Sequence, residues 1–231
     1  MSAKNPIIVA LDVEDAGQGR ALVRRLGDTV SFYKVGLELF TAEGMPFVRE
    51  LQAEGRSVFL DLKLYDIGET VKRTAARASE SGVDLLTVHA MGAVMRAAVD
   101  GRGDSPLKLL GVTVLTSFDQ HDLDEDGYSS SVADLVDLRA RNAAKAGVDG
   151  VVCSALDAAR VRRILGPGPL VVTPGVRSRA AAAGDQKRVA TPEDAIRDGA
   201  DYVVIGRQVT RAADPAGEAR RILEQIQAVK C

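Results

Sequence analysis

Histidine and cysteine are scarce in this 231-residue chain, which has two of each. His89 and His121 stand far apart, so nothing spaces ligands for a zinc cluster. Cys153, in an expected strand, and Cys231, the last residue, form neither a disulfide framework nor a metal spacing. A buried, small apolar Cys153 in a reducing cytoplasm is the expectation. An excess of one charge is missing too: 30 Lys and Arg against 32 Asp and Glu leave a formal net charge of -2. The basic residues are spread, so no field is available to hold a polyanion and nucleic acid is not an expected partner. No apolar run approaches the roughly 18 residues of a membrane span. A strand-like run begins at Ile7, leaving no room ahead of it for a secretory leader, and a soluble, cytoplasmic protein is expected. Nucleotide fingerprints are incomplete: Gly17-Gln18-Gly19 lacks a third glycine and an acidic partner, and no P-loop is present. Asp122-Leu123-Asp124-Glu125-Asp126-Gly127 starts like a calcium loop, but its twelfth position is Ala133. Without the bidentate Glu that site requires, it reads as a solvated acidic loop.

What remains is a regular alternation. With 46% hydrophobic and 27% charged residues, the chain can bury a full core. Short β-branched runs are expected as strands at Ile7–Leu11, Ser31–Val35, Val58–Leu62, Leu85–Val88, Leu109–Val114, Gly150–Val152, Leu170–Thr173 and Tyr202–Ile205. Amphipathic patterns between them predict helices near Gln18–Leu26, Pro46–Ala53, Thr70–Ser81, Val94–Asp100, Val132–Ala146, Ala155–Leu165, Thr191–Asp198 and Pro215–Val229. Gly-Val-Asp or Gly-Ala-Asp recurs before strands at Gly82, Gly147 and Gly199, where glycine closes a helix. Eight βα units with run-like strands predict a parallel sheet closed into a (β/α)8 TIM barrel, a single domain over residues 1–231. A doubly wound open sheet is the alternative fold.

Active sites of such barrels lie at the C-terminal strand ends. Asp12 closes the first strand, Lys34 lies near the end of the second, and Asp61 and Lys63 close the third. His89 follows the fourth strand and Thr116 and Ser117 the fifth. The mouth therefore carries Asp, Lys, Asp, Lys, and burying four charges without a purpose is expensive. In Val58-Phe59-Leu60-Asp61-Leu62-Lys63-Leu64, strand alternation aims Asp61 and Lys63 the same way. Asp66 follows on the next loop, so two carboxylates are expected to flank one ammonium. An opposite charge within about 4–6 Å favours the charged form, which suits Lys63 to donate a proton and not to form a Schiff base. On these residues alone, a structural ion pair at the strand end is the other reading. His89 reads as a polar support of the mouth more readily than as a base, because nothing nearby orients it.

The loops after the seventh and eighth strands are where barrels build phosphate sites. Here stand Thr173-Pro174-Gly175-Val176-Arg177 and Ile205-Gly206-Arg207. Gly206 would let an anion approach the backbone, and Arg207 would grip it bidentately, unless that arginine is merely structural. Gln186, in the loop before the seventh helix, is a further candidate donor.

These segments, with Ala10-Leu11-Asp12, Tyr33-Lys34-Val35-Gly36, Val88-His89-Ala90 and Asp185-Gln186-Lys187-Arg188, resemble the orotidine 5'-phosphate decarboxylase family nearly end to end. The resemblance implies cofactor-free and metal-free conversion of orotidine 5'-phosphate (OMP) to UMP in pyrimidine biosynthesis. It implies that Asp12 and Lys34 bind ribose hydroxyls and Thr116 the pyrimidine. Gln186, Gly206 and Arg207 would take the phosphate, with Pro174 and Arg177 beside it. Asp61 would face the substrate carboxylate and Lys63 protonate C6. It further implies a homodimer in which Asp66, Ile67 and Thr70 complete the partner's site. Gly68-Glu69 departs from the Pro and small polar residue usual in bacterial relatives, which bears on the loop shape. Two alternatives are a magnesium-dependent keto-sugar-phosphate lyase of the same superfamily and a non-catalytic nucleotide-phosphate binding barrel. The lyases resemble this chain with Glu at Lys34, and a lysine there repels a dication.

Overall fold

In a computed structural model, which describes residues 5–178 and 190–229, eight parallel strands close into a barrel in sequence order. They are β1 Ile7–Ala10, β2 Phe32–Gly36, β3 Ser57–Leu64, β4 Leu85–His89, β5 Lys108–Val112, β6 Gly150–Val152, β7 Leu170–Pro174 and β8 Tyr202–Ile205. The helices are α1 Ala16–Leu26, α2 Leu37–Ala53, α3 Gly68–Glu80, α4 Gly92–Arg102, α5 Gln120–Glu125, α6 Val132–Ala146, α7 Ala158–Leu165, α8 Pro192–Arg197, α9 Arg207–Thr210 and α10 Pro215–Ala228. The closed barrel excludes the open doubly wound sheet.

Strand alternation divides the core in two. Ile8, Phe32, Phe59, Leu85, Leu110, Val152, Val172 and Tyr202, one from each strand, fill the barrel interior. Their neighbours along each strand, among them Val9, Tyr33, Leu60 and Leu86, pack outward beneath the helices. Two residues beyond members of the inner layer stand Asp12 after Ala10, Lys34 after Phe32, Asp61 after Phe59 and Thr87 after Leu85. An apolar plug thus carries a polar layer at its C-terminal end, the pattern that makes that end the reactive one.

The opposite rim is tied by a repeated device. Gly82, Gly147 and Gly199 adopt φ of 73°, 79° and 101°, so each glycine of the recurrent triplets takes a conformation that other residues resist. The aspartate two residues on then reaches back to the preceding strand. Asp84 Oδ2 accepts from Val58 N at 2.8 Å, Asp149 Oδ2 from Leu109 N at 2.9 Å, and Asp201 Oδ2 from Val171 N at 2.7 Å. A cavity of about 470 Å³ opens at this end, lined by Phe32, Leu85, Leu170 and Tyr202 with Asp84 and Asp149. The strand-end charges lie at the other end.

Several expectations need correction. The second helix starts at Leu37, well before Pro46, and breaks at Gly44, whose φ of 63° and ψ of -153° separate two helical pieces. The acidic stretch after β5 is not a loop: Asp119 caps α5 by accepting from His121 N and Asp122 N, and Asp122 returns the bond to Asp119 N. This capping box outweighs the turn-like composition. Ala155–Asp157 forms a 3-10 turn before α7, α9 is additional, and β5 ends at Val112, short of Val114.

Candidate active site

Lys34 and Asp61 leave adjacent strands, with Lys34 paired to Phe59 and Gly36 to Asp61. Their side chains meet beyond the apolar plug. Lys34 Nζ lies 2.9 Å from Asp12 Oδ1 and 3.5 Å from Asp61 Oδ2, and Lys63 Nζ lies 2.9 Å from the same Asp61 oxygen. The four residues form one line of alternating charge across β1, β2 and β3. Gly36 makes room for it, since a Cβ there would stand 2.9 Å from Lys34 Nζ.

Burial opposes ionisation of Asp61, which is 8% exposed, but the Lys34 and Lys63 ammoniums and hydrogen bonds from Lys63 and Thr87 hold its carboxyl below the usual range. Burial likewise disfavours the Lys34 ammonium, yet Asp61 and Asp12 together push its pKa up. Lys34 and Asp61, at the centre of the line, are therefore both charged at neutral pH.

The expected flanking of Lys63 by two carboxylates is corrected here: one carboxylate, Asp61, sits between two ammoniums. Asp66 makes no ion pair among the described residues, and its Oδ1 accepts from Ile67 N at 2.6 Å. Asp66, Thr70 and Lys63 line a shallow depression of about 300 Å³. Tyr65, which also lines it, is 67% exposed, and Ile67 is 72% exposed. His89 is half-buried against the Tyr65 ring, with centroids 5.4 Å apart. Burial, with the nearby Arg139 and Lys63 charges, lowers its pKa, so it is a neutral wall at pH 7. Cys153 is fully buried, as expected.

A cavity of about 440 Å³ adjoins the charge line, lined by Asp12, Lys34, Pro174, Arg177, Gly206 and Arg207. Glu38, Gln208 and Arg211 also line it, and sequence reasoning did not single them out. Nothing but position distinguishes such polar residues in helical segments. At Gly206 a Cβ would point to within 3.8 Å of Asp12 Oδ2, so the absent side chain leaves the cavity open. Burial and the neighbouring Arg207 charge lower the Arg177 pKa, and Arg177 Nε is buried with no hydrogen-bond partner among the described residues. Two guanidiniums that repel each other, one with an unanswered donor, favour an anion between them. Gln208 fixes the start of this loop: its Oε1 accepts from Ser178 N at 2.9 Å and its Nε2 donates to Ser178 Oγ at 2.7 Å. Thr116 lies in the turn after β5, outside this cavity, and Gln186 lies outside the described residues.

A closed parallel barrel with a charge line and an arginine-lined cavity side by side at its C-terminal rim is a (β/α)8-barrel enzyme. Residues 5–222 match the model of the Orotidine 5'-phosphate decarboxylase / HUMPS family, and the chain belongs to that family. It is 51% identical over 226 residues to an orotidine 5'-phosphate decarboxylase of Rhodopseudomonas palustris, covering 98% of this chain and 96% of that protein. A similarly named protein of Nitrobacter winogradskyi is 52% identical over 224 residues, covering 97% and 93%. Among solved structures, orotidine 5'-phosphate decarboxylase from Lactobacillus acidophilus superposes with a TM-score of 0.85 at 35% identity, covering 96% of this chain and 99% of that one.

Proposed function

We propose that this chain decarboxylates OMP to UMP, each protomer forming one barrel domain that works in the cytoplasm. The observation that carries this reading is the unbroken line Asp12, Lys34, Asp61, Lys63, with the Asp61 carboxylate buried between two ammoniums. In the proposed reaction the bond from C6 to the carboxylate breaks, carbon dioxide leaves, and the electron pair stays on C6. Lys63 Nζ then gives its proton to C6 and regains one from water. The ammonium is held in position before substrate arrives, so stabilising the carbanion-like centre requires little reorganisation. Asp61, already ionised, faces the substrate carboxylate and disfavours the ground state relative to the product of carbon dioxide loss.

Binding is assigned around that centre. Asp12 and Lys34 take ribose hydroxyls, Thr116 the pyrimidine, and Gln186, Gly206 and Arg207 the phosphate, with Arg177 and Pro174 beside it. The paired arginines support the phosphate assignment, and binding energy gained there is available to stabilise the reacting geometry. Asp66, Ile67 and Thr70 are assigned to the site of a second copy. The exposed Tyr65 and Ile67 flanking Asp66, and the lack of an ion pair from Asp66 to Lys63, support that assignment.

The test is a spectrophotometric assay of OMP in excess EDTA. Turnover at full rate is the expected result. Activity that vanished in EDTA and returned with magnesium would favour the keto-sugar-phosphate lyase instead, and OMP binding without turnover would favour the non-catalytic barrel.

A further inference from the structure

The third strand does not run straight through the site. Leu60 pairs with Leu86, but the next pairing is Leu64 with Val88, so four steps on β3 match two on β4. The extra length is a bulge that contains Asp61, Leu62 and Lys63. Within it Lys63 has φ of 48°, the one non-glycine residue with positive φ among those described. A lysine resists that conformation and holds it only when its surroundings impose it. The bulge also removes the Lys63 N–H from the β3–β4 ladder and leaves it in need of an acceptor.

One side chain answers all of this. Thr87 lies on β4 opposite the bulge and is fully buried. Its Oγ1 accepts from Lys63 N at 2.9 Å and donates to Asp61 Oδ1 at 2.9 Å. The other Asp61 oxygen is left for the Lys63 and Lys34 ammoniums. A hydroxyl has one proton to give and lone pairs to receive, so a single threonine fixes both the origin of the Lys63 side chain and the rotation of the Asp61 carboxylate.

We infer that Thr87 is a positioning residue: its hydroxyl pins the β3 bulge so that Lys63 and Asp61 are held where the reaction needs them. It touches neither substrate nor the reacting atoms and acts through the two residues it holds. The inference rests on the decarboxylase reading above. Displacing a reacting group by about 1 Å costs up to about 100-fold in rate, which sets the scale of effect.

The experiment compares Thr87→Val, which keeps the shape and loses the hydroxyl, with Thr87→Ser, which keeps the hydroxyl and loses a methyl. For each, kcat and KM for OMP, UMP affinity by calorimetry and the thermal midpoint are measured on the full chain. Thr87→Val is expected to lose at least about tenfold in kcat while binding UMP within about threefold of wild type, because the phosphate and ribose contacts lie elsewhere. Thr87→Ser is expected to keep kcat within about threefold. A folded Thr87→Val with wild-type kcat overturns the inference. So does a Thr87→Ser as impaired as Thr87→Val, or a loss of UMP affinity that matches the loss of kcat. Should Thr87→Val fail to fold, Thr87→Cys, with similar shape and only a weak S–H donor, is held to the same split between kcat and UMP affinity. Absence of turnover by the wild type would overturn the decarboxylase reading itself, a result distinct from any of these.

Discussion

Opposing forces meet on Asp61. Burial raises its pKa; two ammoniums and two hydrogen bonds reverse the outcome and hold it below the ordinary 3.8. A carboxyl whose folded pKa is depressed contributes stability that is present above its unfolded pKa and lost as pH falls through the folded value. The wild type should therefore lose stability on acidification below about pH 4 more steeply than Asp61→Asn, which has no proton to take up there. Urea midpoints of both proteins across that range check this, since every other carboxyl is common to the pair. Parallel acid limbs would mean that Asp61 does not titrate as its surroundings require. Asp12, Lys34, Asp61 and Lys63 were legible in the sequence because charge at the end of an apolar strand run has no inexpensive structural explanation. Thr87 and Gly36 were not. A threonine in a β-branched run is ordinary, and a glycine before a helix gives no hint that Lys34 Nζ would stand 2.9 Å from its missing Cβ. Asp66 was misread against Lys63 because spacing along one strand ignores the bulge that follows Leu60.

Elements were more legible than their ends. The eight strands follow from short β-branched runs, and α6 runs from Val132 to Ala146 as its pattern predicts. The failures have local causes: Gly44 joins two short helical pieces where only the second was periodic enough to see, and a capping box made a helix from acidic residues. The Gly-x-Asp triplets showed their glycine and hid their aspartate, whose partner lies on the preceding strand, outside any local window. Asp149 has the densest set of contacts of the three. Besides Leu109 N it holds Arg102 Nη1 and, at 3.0 Å, Lys108 Nζ. Asp149→Ala leaves that N–H and a largely buried guanidinium without their acceptor and should cost about 1–3 kcal/mol. Its kcat at 25 °C should match the wild type, because the lost bonds lie at the rim opposite the charge line. Chemical denaturation and a rate measurement on the same preparation separate the two claims; a fall in kcat without a fall in stability would contradict this division between the two ends.

At the scale of the whole molecule, the open question is whether one chain makes a complete site. Tyr65 and Ile67 stand exposed on either side of Asp66 and call for a cover. A second copy of the chain is the proposed one, with Asp66 carried into its site. Lys63→Ala and Asp66→Ala should each be nearly inactive as homodimers, the first lacking the proton donor and the second the carboxylate delivered across the interface. In a mixed dimer one site draws Lys63 and Asp66 from the two unmutated copies, while the other site carries both defects. Equal amounts unfolded together and refolded pair at random, so about half the dimers are mixed and about a quarter of wild-type activity should return under two-fold symmetry. The measurement is the OMP decarboxylation rate before and after subunit exchange, with an unexchanged mixture as control and mass spectrometry to count mixed dimers. If mixed dimers form and the rate does not rise, Asp66 serves the Lys63 of its own chain, across the shallow depression that the two residues share.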